Sequence, residues 1–330
     1  MAAADRQGPT RRLVLAGAAA TLGTGLAGTR PLGAAEQSWS AFLDQLSVEA
    51  RRLGISPATT KQALADAELL DQVIELDRKQ PEGRLTFAEY KANVISETRI
   101  RRGREMLLLY GDLLEKIRFR YGIPVQVITA LWGVESSYGA RTGNWSVVSS
   151  LATLAYEGRR SEFFRGELMA ALRILDAGDV ALPDMKGSWA GAMGQPQFMP
   201  TTYLAYAVDW DGDGQRDIWT SLPDIFASMS NFLARSGWRQ GQLWGRPVLA
   251  PSHLPSGQKA TVAEFAEAGV RAQDDGPLPR SAMPASLLRM DGADGPAFLT
   301  YHNFNVFKIW NRSDYFALSV GLIADQLKVD

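Results

Sequence analysis

The 330-residue chain is 46% hydrophobic and carries a formal net charge of -1, so it can bury a large core and lacks the basic excess of a nucleic-acid-binding protein. The absence of cysteine excludes disulfides, thiol catalysis and cysteine-bound metals. His253 and His302 are its only histidines, which excludes a multi-histidine metal site, and a serine–histidine–aspartate triad would have to use one of them.

The first 35 residues, 1–35, have the pattern of an export signal. Arg11 and Arg12 precede a mildly apolar stretch, and the small residues Gly33 and Ala35 follow it. The stretch is too weakly apolar for a stable transmembrane helix. The arginine pair favours twin-arginine export, with Sec export as the alternative and a disordered cytoplasmic N-terminus as a third interpretation. Without a cysteine to acylate, we expect a soluble mature protein with no membrane span.

An N-terminal helical region is predicted over residues 36–121. Apolar residues recur there at three- and four-residue spacing, which is the period of an amphipathic helix. Ser56 and Pro57 are a typical helix cap and first helical residue. Gly122 and Pro124 are typical of the end of one helix and the start of the next.

The central segment, 122–238, is predicted to be a helical catalytic core. Its predicted helices are 124–138, 146–157, 161–177 and 222–238. Gly237 is expected to stop the last of them. Residues 183–200 are rich in glycine, proline and methionine, which predicts an ordered loop inside this core.

A small β-containing subdomain is predicted over residues 239–300. Proline and glycine are frequent there, and the short runs "RPVLA" and "AFLTYHNF" are typical of strands. Residues 301–330 are expected to complete the core with a strand and a final amphipathic helix capped by Ser313. The predicted fold class is therefore mainly α, of the α+β type.

Glu135 lies at the end of an apolar run in "ITALWGVESSYG". Helical spacing places Ile128 and Leu131 on its face. Partial burial there would raise the pKa of the carboxyl group and keep it protonated, as a general acid requires. The alternative is a solvated glutamate at a helix end, although the helix dipole makes that position mildly unfavourable.

A loop dense in glycine, methionine and aromatic residues follows, "KGSWAGAMGQPQFMP". Glycine lets a polymer approach the backbone closely. The aromatic faces of Trp189, Phe198 and Tyr203 suit sugar rings, and the amides of Gln195 and Gln197 suit hydroxyl groups. A packed loop with a methionine-rich core is an equally good interpretation.

The segment "DWDGDGQRD" is similar to the opening of a calcium-binding EF-hand loop. The candidate ligands are Asp209, Asp211, Asp213 and the main-chain carbonyl of Gln215. The usual final acid is absent, because Thr220 stands at its position. Asp224, four residues later, is the candidate that would close the site. A turn rich in aspartate without metal is the alternative.

Two further groups of polar residues are candidates for binding. Arg159 and Arg160 could grip a carboxylate with their guanidinium groups, although spacing alone favours surface salt bridges. Asn303 and Asn311 could face a cleft or belong to turns.

Together these segments resemble the lytic murein transglycosylases of the membrane-bound B type. The shared motifs are "ALWGVESSYG", "SLATLAYEGRRSEFF", "KGSWAGAMGQPQFMP" and "NFNVFKIWNRSDYFAL", and the resemblance runs from about residue 40 to 328. It implies a lysozyme-like helical core. It also implies cleavage of the β-1,4 bond between N-acetylmuramic acid and N-acetylglucosamine in peptidoglycan. The expected product is a 1,6-anhydro end, formed without added water.

The resemblance also implies roles for single residues. Glu135 takes the place of the one catalytic acid, which then serves as the base. The substrate contacts that it implies are Ser188, Gln197, Arg159, Arg160, Asn303 and Trp310. We predict three aromatic residues as further substrate contacts, Tyr138, Phe198 and Tyr203. Trp310 stands where several members have a tyrosine, so a hydroxyl role is not carried over. The loop that begins at Asp209 matches the family's calcium site, and no cofactor is implied for the chemistry.

The resemblance implies a periplasmic monomer of the Gram-negative type that acts on glycan strands, with cell-wall synthesis or secretion proteins as further partners. Two alternatives remain at this point. One is a muramidase that uses water on the same fold, and the other is a catalytically inactive peptidoglycan-binding scaffold.

Overall fold

The computed structural model describes residues 38–79 and 85–328, so the predicted export signal lies outside the described residues. Over these ranges the chain forms thirteen α-helices and seven short strands. None of the described helices is both long and apolar enough to cross a membrane. The mainly α class predicted from the sequence is confirmed.

The described residues form two compact units, which we call the N-unit and the C-unit. The N-unit contains residues 38–79 and 135–229, and the C-unit contains residues 85–134 and 230–328. Each unit therefore takes segments from distant parts of the sequence. Their limits do not coincide with the linear segments predicted above.

The N-unit is a layered helical body. Its helices are α1 (Trp39–Arg52), α2 (Pro57–Ala65), α3 (Asp71–Arg78), α7 (Val147–Glu157), α8 (Ser161–Ala177) and α9 (Pro200–Tyr206). Helix α7 is buried from Val147 to Ala155, because its residues are apolar or small on every side. Helices α8, α3 and α1 pack on α7, and α9 and α2 pack on α8. The predicted cap at Ser56 and Pro57 is confirmed.

Two helices contain residues of both units, α6 (Val125–Ser136) and α10 (Leu222–Arg235). The helices of the C-unit alone are α4 (Phe87–Val94), α5 (Glu97–Tyr121), α11 (Val262–Glu267), α12 (His302–Trp310) and α13 (Asp314–Gln326). Helix α5 ends at Gly122, whose φ of 73° is the left-handed conformation that favours glycine. Ser313 caps α13 as predicted.

The C-unit also holds an antiparallel sheet of five strands in the order β4-β6-β7-β3-β5. The strands are β3 (Gly245–Leu249), β4 (Lys259–Thr261), β5 (Arg271–Ala272), β6 (Pro284–Arg289) and β7 (Ala297–Thr300). Leu287 pairs with Leu299, and both lie in a core with Phe265 of α11. The predicted run "AFLTYHNF" is only partly a strand, because β7 stops at Thr300 and α12 begins at His302. The predicted strand of the C-terminal segment is therefore wrong.

Candidate active site

Glu135 lies in the last turn of α6 and is half-buried. The chain leaves this helix through three consecutive left-handed residues, with φ of 53° at Ser137, 60° at Tyr138 and 81° at Gly139. Two of them carry side chains, for which this conformation is unfavourable. Such strain is concentrated at functional sites, where the surrounding structure maintains it.

Two hydrogen bonds accepted by the fully buried Ser136 hold this left-handed turn in place. Its hydroxyl oxygen accepts the N–H of Gly139 at 3.1 Å, and its carbonyl accepts the N–H of Arg141 at 2.8 Å. These two bonds satisfy main-chain groups that would otherwise be left without partners where the helix ends. The direction of the chain after Glu135 is thereby fixed.

The loop of residues 186–199, which we call the glycine loop, packs against the segment that follows Glu135. Strand β1 (Trp145–Ser146) pairs with β2 (Lys186–Gly187) at the start of the loop. A Cβ atom added to Gly143 would lie 2.0 Å from the carbonyl oxygen of Gly187. No other residue type fits at this approach, so glycine at position 143 is what allows the two segments to touch.

Gln197 joins the two segments by its amide nitrogen. The nitrogen donates to the carbonyl of Thr142 at 2.9 Å and to that of Gly194 at 2.8 Å. Ser188 lies at the other end of the glycine loop, where its hydroxyl oxygen accepts the N–H of Ala192 at 3.0 Å. This bond leaves the hydroxyl hydrogen of Ser188 available to donate. The structure thus packs the loop that carries Ser188 and Gln197 against the segment that follows Glu135.

Two of the aromatic residues predicted to contact sugar are core residues. Phe198 is 2% exposed and Tyr203 is 0% exposed. The hydroxyl of Tyr203 donates to the carbonyl of Arg216 at 2.7 Å, and burial raises its pKa well above the usual range. This burial corrects the expectation that these two rings offer faces to a sugar. Tyr138 is also buried, whereas Trp189 and Trp219 are half-buried.

Arg159 and Arg160 share one acidic partner, Asp77 of α3. Their guanidinium nitrogens lie 2.8 Å and 2.6 Å from the two carboxylate oxygens of Asp77, which is 2% exposed. A buried carboxylate needs such partners, because an unpaired charge there would be costly. The pair therefore anchors α3 to the junction of α7 and α8. Asp77 was not singled out from the sequence, since it lies about eighty residues away from the pair.

The aspartate-rich loop, residues 209–224, gathers three carboxylates. Oxygen atoms of Asp209, Asp211 and Asp213 all lie within 4.8 Å of one another. Carboxylates this close repel one another unless a cation or a proton lies between them, and calcium prefers such oxygen ligands. The three side chains fit calcium by their chemistry and their spacing.

Asp224 is buried and lies outside this cluster of three. Its two oxygens accept the N–H of Trp210 at 2.7 Å and that of Asp217 at 2.8 Å. Burial raises its pKa to about 6, and the charges of Asp211 and Asp209 add to the effect. Asp224 thus ties the two ends of the aspartate-rich loop together. Metal contacts by Asp224 and by the carbonyl of Gln215 stay predictions.

Asn303 and Trp310 belong to the C-unit. Asn303 is fully buried, and its amide nitrogen donates to the carbonyls of Arg239 at 2.9 Å and Gln242 at 2.7 Å. Its oxygen accepts the N–H of Arg239 at 2.8 Å, so the side chain braces this turn. Trp310 is half-buried, with its ring centre 4.6 Å from that of Phe232.

Comparison with known proteins identifies the family. Residues 38–325 match the family described as "Transglycosylase SLT domain". The chain is 32% identical over 298 residues to the membrane-bound lytic murein transglycosylase B of Escherichia coli K12, which covers 84% of this chain and 79% of that protein.

Solved structures show the same relationship. SltB3 from Pseudomonas aeruginosa, in complex with NAG-anhNAM-pentapeptide, matches with a TM-score of 0.85 and 43% identity, over 88% of this chain and 80% of that one. Escherichia coli Slt35 in complex with calcium matches with a TM-score of 0.75 and 30% identity, over 87% of this chain and 92% of that one. This chain, with its lysozyme-like fold, therefore belongs to the transglycosylase SLT-domain family of lytic transglycosylases.

Proposed function

We propose that this protein cleaves the β-1,4 bond between N-acetylmuramic acid and N-acetylglucosamine in peptidoglycan and leaves 1,6-anhydro ends. The observation that carries the proposal is that no second acid accompanies Glu135 in the two stretches of sequence that form the site. The sequence has no other acid between Ser136 and Tyr156, and none between Lys186 and Val208. These are the stretches that contain the left-handed turn and the glycine loop. The complex of SltB3 with an anhydro sugar supports the same product type.

A single acid suits a reaction in which the substrate provides its own nucleophile. Hydrolytic glycosidases commonly use two carboxyl groups, one as acid and one as base or nucleophile. In our proposal, protonated Glu135 gives its proton to the glycosidic oxygen as the bond to C1 breaks. The resulting carboxylate takes the proton from the C6 hydroxyl of the same sugar, and that oxygen bonds to C1. Because the attack is intramolecular, proximity replaces the second carboxylate.

Ser188 and Gln197 are proposed to hold the reacting sugar. The free hydroxyl hydrogen of Ser188 can donate to the acetamido carbonyl, which stabilises the positive charge that develops at C1. Gln197 uses its amide nitrogen within the protein, so its amide oxygen is the atom left for a sugar hydroxyl. Both residues lie on a loop that is held by hydrogen bonds of its own, as positioning of this kind requires.

Calcium is proposed as a structural ion of the aspartate-rich loop. The three clustered carboxylates of Asp209, Asp211 and Asp213 would hold it. When bound, the ion would neutralise their repulsion and fix the loop, and it would take no part in the reaction at Glu135. The complex of Slt35 with calcium supports the proposal.

Export to the periplasm is proposed on two grounds. The first 35 residues have a signal-like pattern, and the proposed substrate belongs to the cell wall. Fusion of residues 1–35 to a reporter that is active only after export tests this directly. Loss of export after replacement of Arg11 and Arg12 by lysine would favour the twin-arginine route over Sec.

The function is tested by digestion of purified sacculi with the mature protein and mass spectrometry of the soluble products. We expect muropeptides with anhydro ends, which are one water lighter than the hydrolysed forms. Products with reducing ends would instead show a muramidase. No soluble product at all would indicate a binding scaffold.

A further inference from the structure

We propose that a cavity beside the aspartate-rich loop binds an uncharged N-acetylated sugar of the glycan strand, as a second saccharide site of the N-unit. The proposal deepens the function proposed above and rests on it. The cavity has a volume of about 620 Å³ and lies among the end of α8, the turn Leu182–Asp184, helix α2 and residues 215–220. This volume is within the range of known small-ligand sites.

Trp219 connects this cavity to the glycine loop. Its indole N–H donates to the carbonyl of Lys186 at 2.9 Å, and its own carbonyl accepts the side-chain amide of Gln195 at 2.9 Å. The N–H of Gln195 donates to the carbonyl of Ile218 at 2.9 Å. Two hydrogen bonds of Trp219 and one of its neighbour Ile218 therefore fix this segment to the loop that carries Ser188 and Gln197. A sugar bound against Trp219 would belong to the same glycan-binding surface.

The side chains that line the cavity have the chemistry of a saccharide site. Trp219 provides a half-buried aromatic ring, which suits the apolar face of a pyranose. The exposed Gln62 and Gln215 offer amide groups that both donate and accept hydrogen bonds. The exposed carboxylate of Asp184 makes no hydrogen bond or ion pair with the described residues, so it is available to accept from sugar hydroxyls.

The charge of the lining selects against anionic ligands. Asp179 is paired with Arg216 at 2.6 Å, whereas Asp184 and Asp217 have no basic partner among the described residues. None of the described residues that line the cavity is basic. A carboxylate-bearing sugar would meet net negative charge, so the cavity favours the neutral N-acetylglucosamine units over carboxylate-bearing muramoyl units.

The test uses the mature chain with Glu135→Gln, which prevents turnover, and the β-1,4-linked trimer of N-acetylglucosamine as the probe. Binding is followed by NMR at the indole N–H of Trp219, whose signal is assigned with a Trp219→Phe variant. We expect a saturable shift of this signal. Asp184→Ala or Gln62→Ala should each weaken the binding about fivefold, the effect of one lost hydrogen bond.

Matched controls come from exposed residues of α1, in the same unit but outside the cavity. Asp44→Ala and Gln45→Ala should leave the affinity at Trp219 unchanged. N-acetylmuramic acid, tested beside N-acetylglucosamine, should bind there more weakly because of its carboxylate.

The proposal is overturned if the Trp219 signal shows no saturable shift, if neither variant changes the affinity, or if both sugars bind equally well. Sacculus digestion by the wild-type protein is measured in parallel. If anhydro products form but the Trp219 signal does not shift with added sugar, only the second saccharide site is refuted. Failure to produce anhydro products would refute the proposed function instead.

Discussion

The glycine loop and the aspartate-rich loop lie in the same unit, but different forces fix them. The glycine loop is held by close main-chain approach, such as that of Gly143 to Gly187, and by neutral hydrogen bonds. The aspartate-rich loop is held by carboxylates that accept main-chain N–H groups, such as those of Asp209 and Asp224. Three carboxylates of this loop also lie close together. The glycine loop needs no ion to hold its conformation. The aspartate-rich loop brings negative charges close together, and a cation would relieve their repulsion. This contrast predicts that substitution of a close-packed glycine destabilises the glycine loop, whereas removal of calcium destabilises the aspartate-rich loop.

The largest effect is expected from Glu135→Gln beside the glycine loop. The amide cannot donate a proton to the leaving oxygen, so release of muropeptides should fall by at least about 100-fold. The melting temperature should change little, because the substitution keeps the shape of the side chain. Glu68→Gln, which changes an exposed glutamate of the same unit, serves as the control and should retain full activity. Unchanged release by Glu135→Gln would refute the assignment of the acid.

Gly143→Ala tests whether main-chain approach holds the glycine loop. The added Cβ would lie 2.0 Å from the carbonyl oxygen of Gly187, and the residue has a φ of 92°. We expect a loss of about 3 kcal/mol in the free energy of unfolding, from the clash and the left-handed conformation together. Gly54→Ala shares the positive φ but meets no atom within 4 Å, so it should cost only about 1 kcal/mol. Urea denaturation measures both, and equal losses would contradict the account.

Chelation tests the aspartate-rich loop. Calcium at 100 times its dissociation constant should stabilise the protein by about 2.7 kcal/mol, and EDTA should remove this gain. Asp211→Asn should reduce the response to calcium, whereas Asp44→Asn on α1 should not. Thermal unfolding with and without calcium measures the effect. Identical melting curves would mean that the carboxylate cluster is only a turn.

The smallest expected effect is a change in stability with pH that depends on the buried Glu167. Its partner is Thr201, which lies two residues after the glycine loop. The carboxylate of Glu167 accepts the N–H of Thr201 at 2.9 Å and the hydroxyl of Thr201 at 2.7 Å. Burial raises its pKa in spite of these two bonds, so the folded state holds the proton more tightly than the unfolded state does. Glu167 therefore contributes to the free energy of unfolding at a pH below its ordinary pKa. This contribution is lost as the pH rises through the raised pKa of the folded state.

Glu167→Gln should remove this pH dependence, because an amide can keep both contacts with Thr201 and does not titrate. Urea denaturation at acidic and neutral pH should show that the wild type loses stability relative to the variant as the pH rises. If the difference in the free energy of unfolding between the wild type and Glu167→Gln stays constant with pH, this interpretation is contradicted.

Local signals in the sequence predicted much of the fold. The cap at Ser56 and Pro57, the left-handed end of α5 at Gly122 and the cap at Ser313 all depend on the chemistry of one or two residues. Helices α7 and α8 followed from apolar spacing and a break between them. Such features are encoded within a few residues, and they appear in the structure where the sequence predicts them.

The features that the sequence did not predict depend on tertiary contacts. Asp77 meets Arg159 and Arg160 only because α3 packs against α7. Phe198 and Tyr203 look suitable for sugar stacking in the sequence, but their burial is decided by the helices around them. The glycine loop depends on approaches between residues such as Gly143 and Gly187, which are far apart in the chain. Spacing along one chain carries no information about such distant pairs.

The measurement that tests the central claim most directly is digestion of sacculi in water enriched in the heavy isotope of oxygen. If the C6 hydroxyl of the substrate attacks C1 after protonation by Glu135, the released muropeptides gain no oxygen from the solvent. We therefore predict anhydro products of unchanged isotopic mass in heavy and ordinary water. One heavy oxygen in each product would show that water is the nucleophile and would contradict the account.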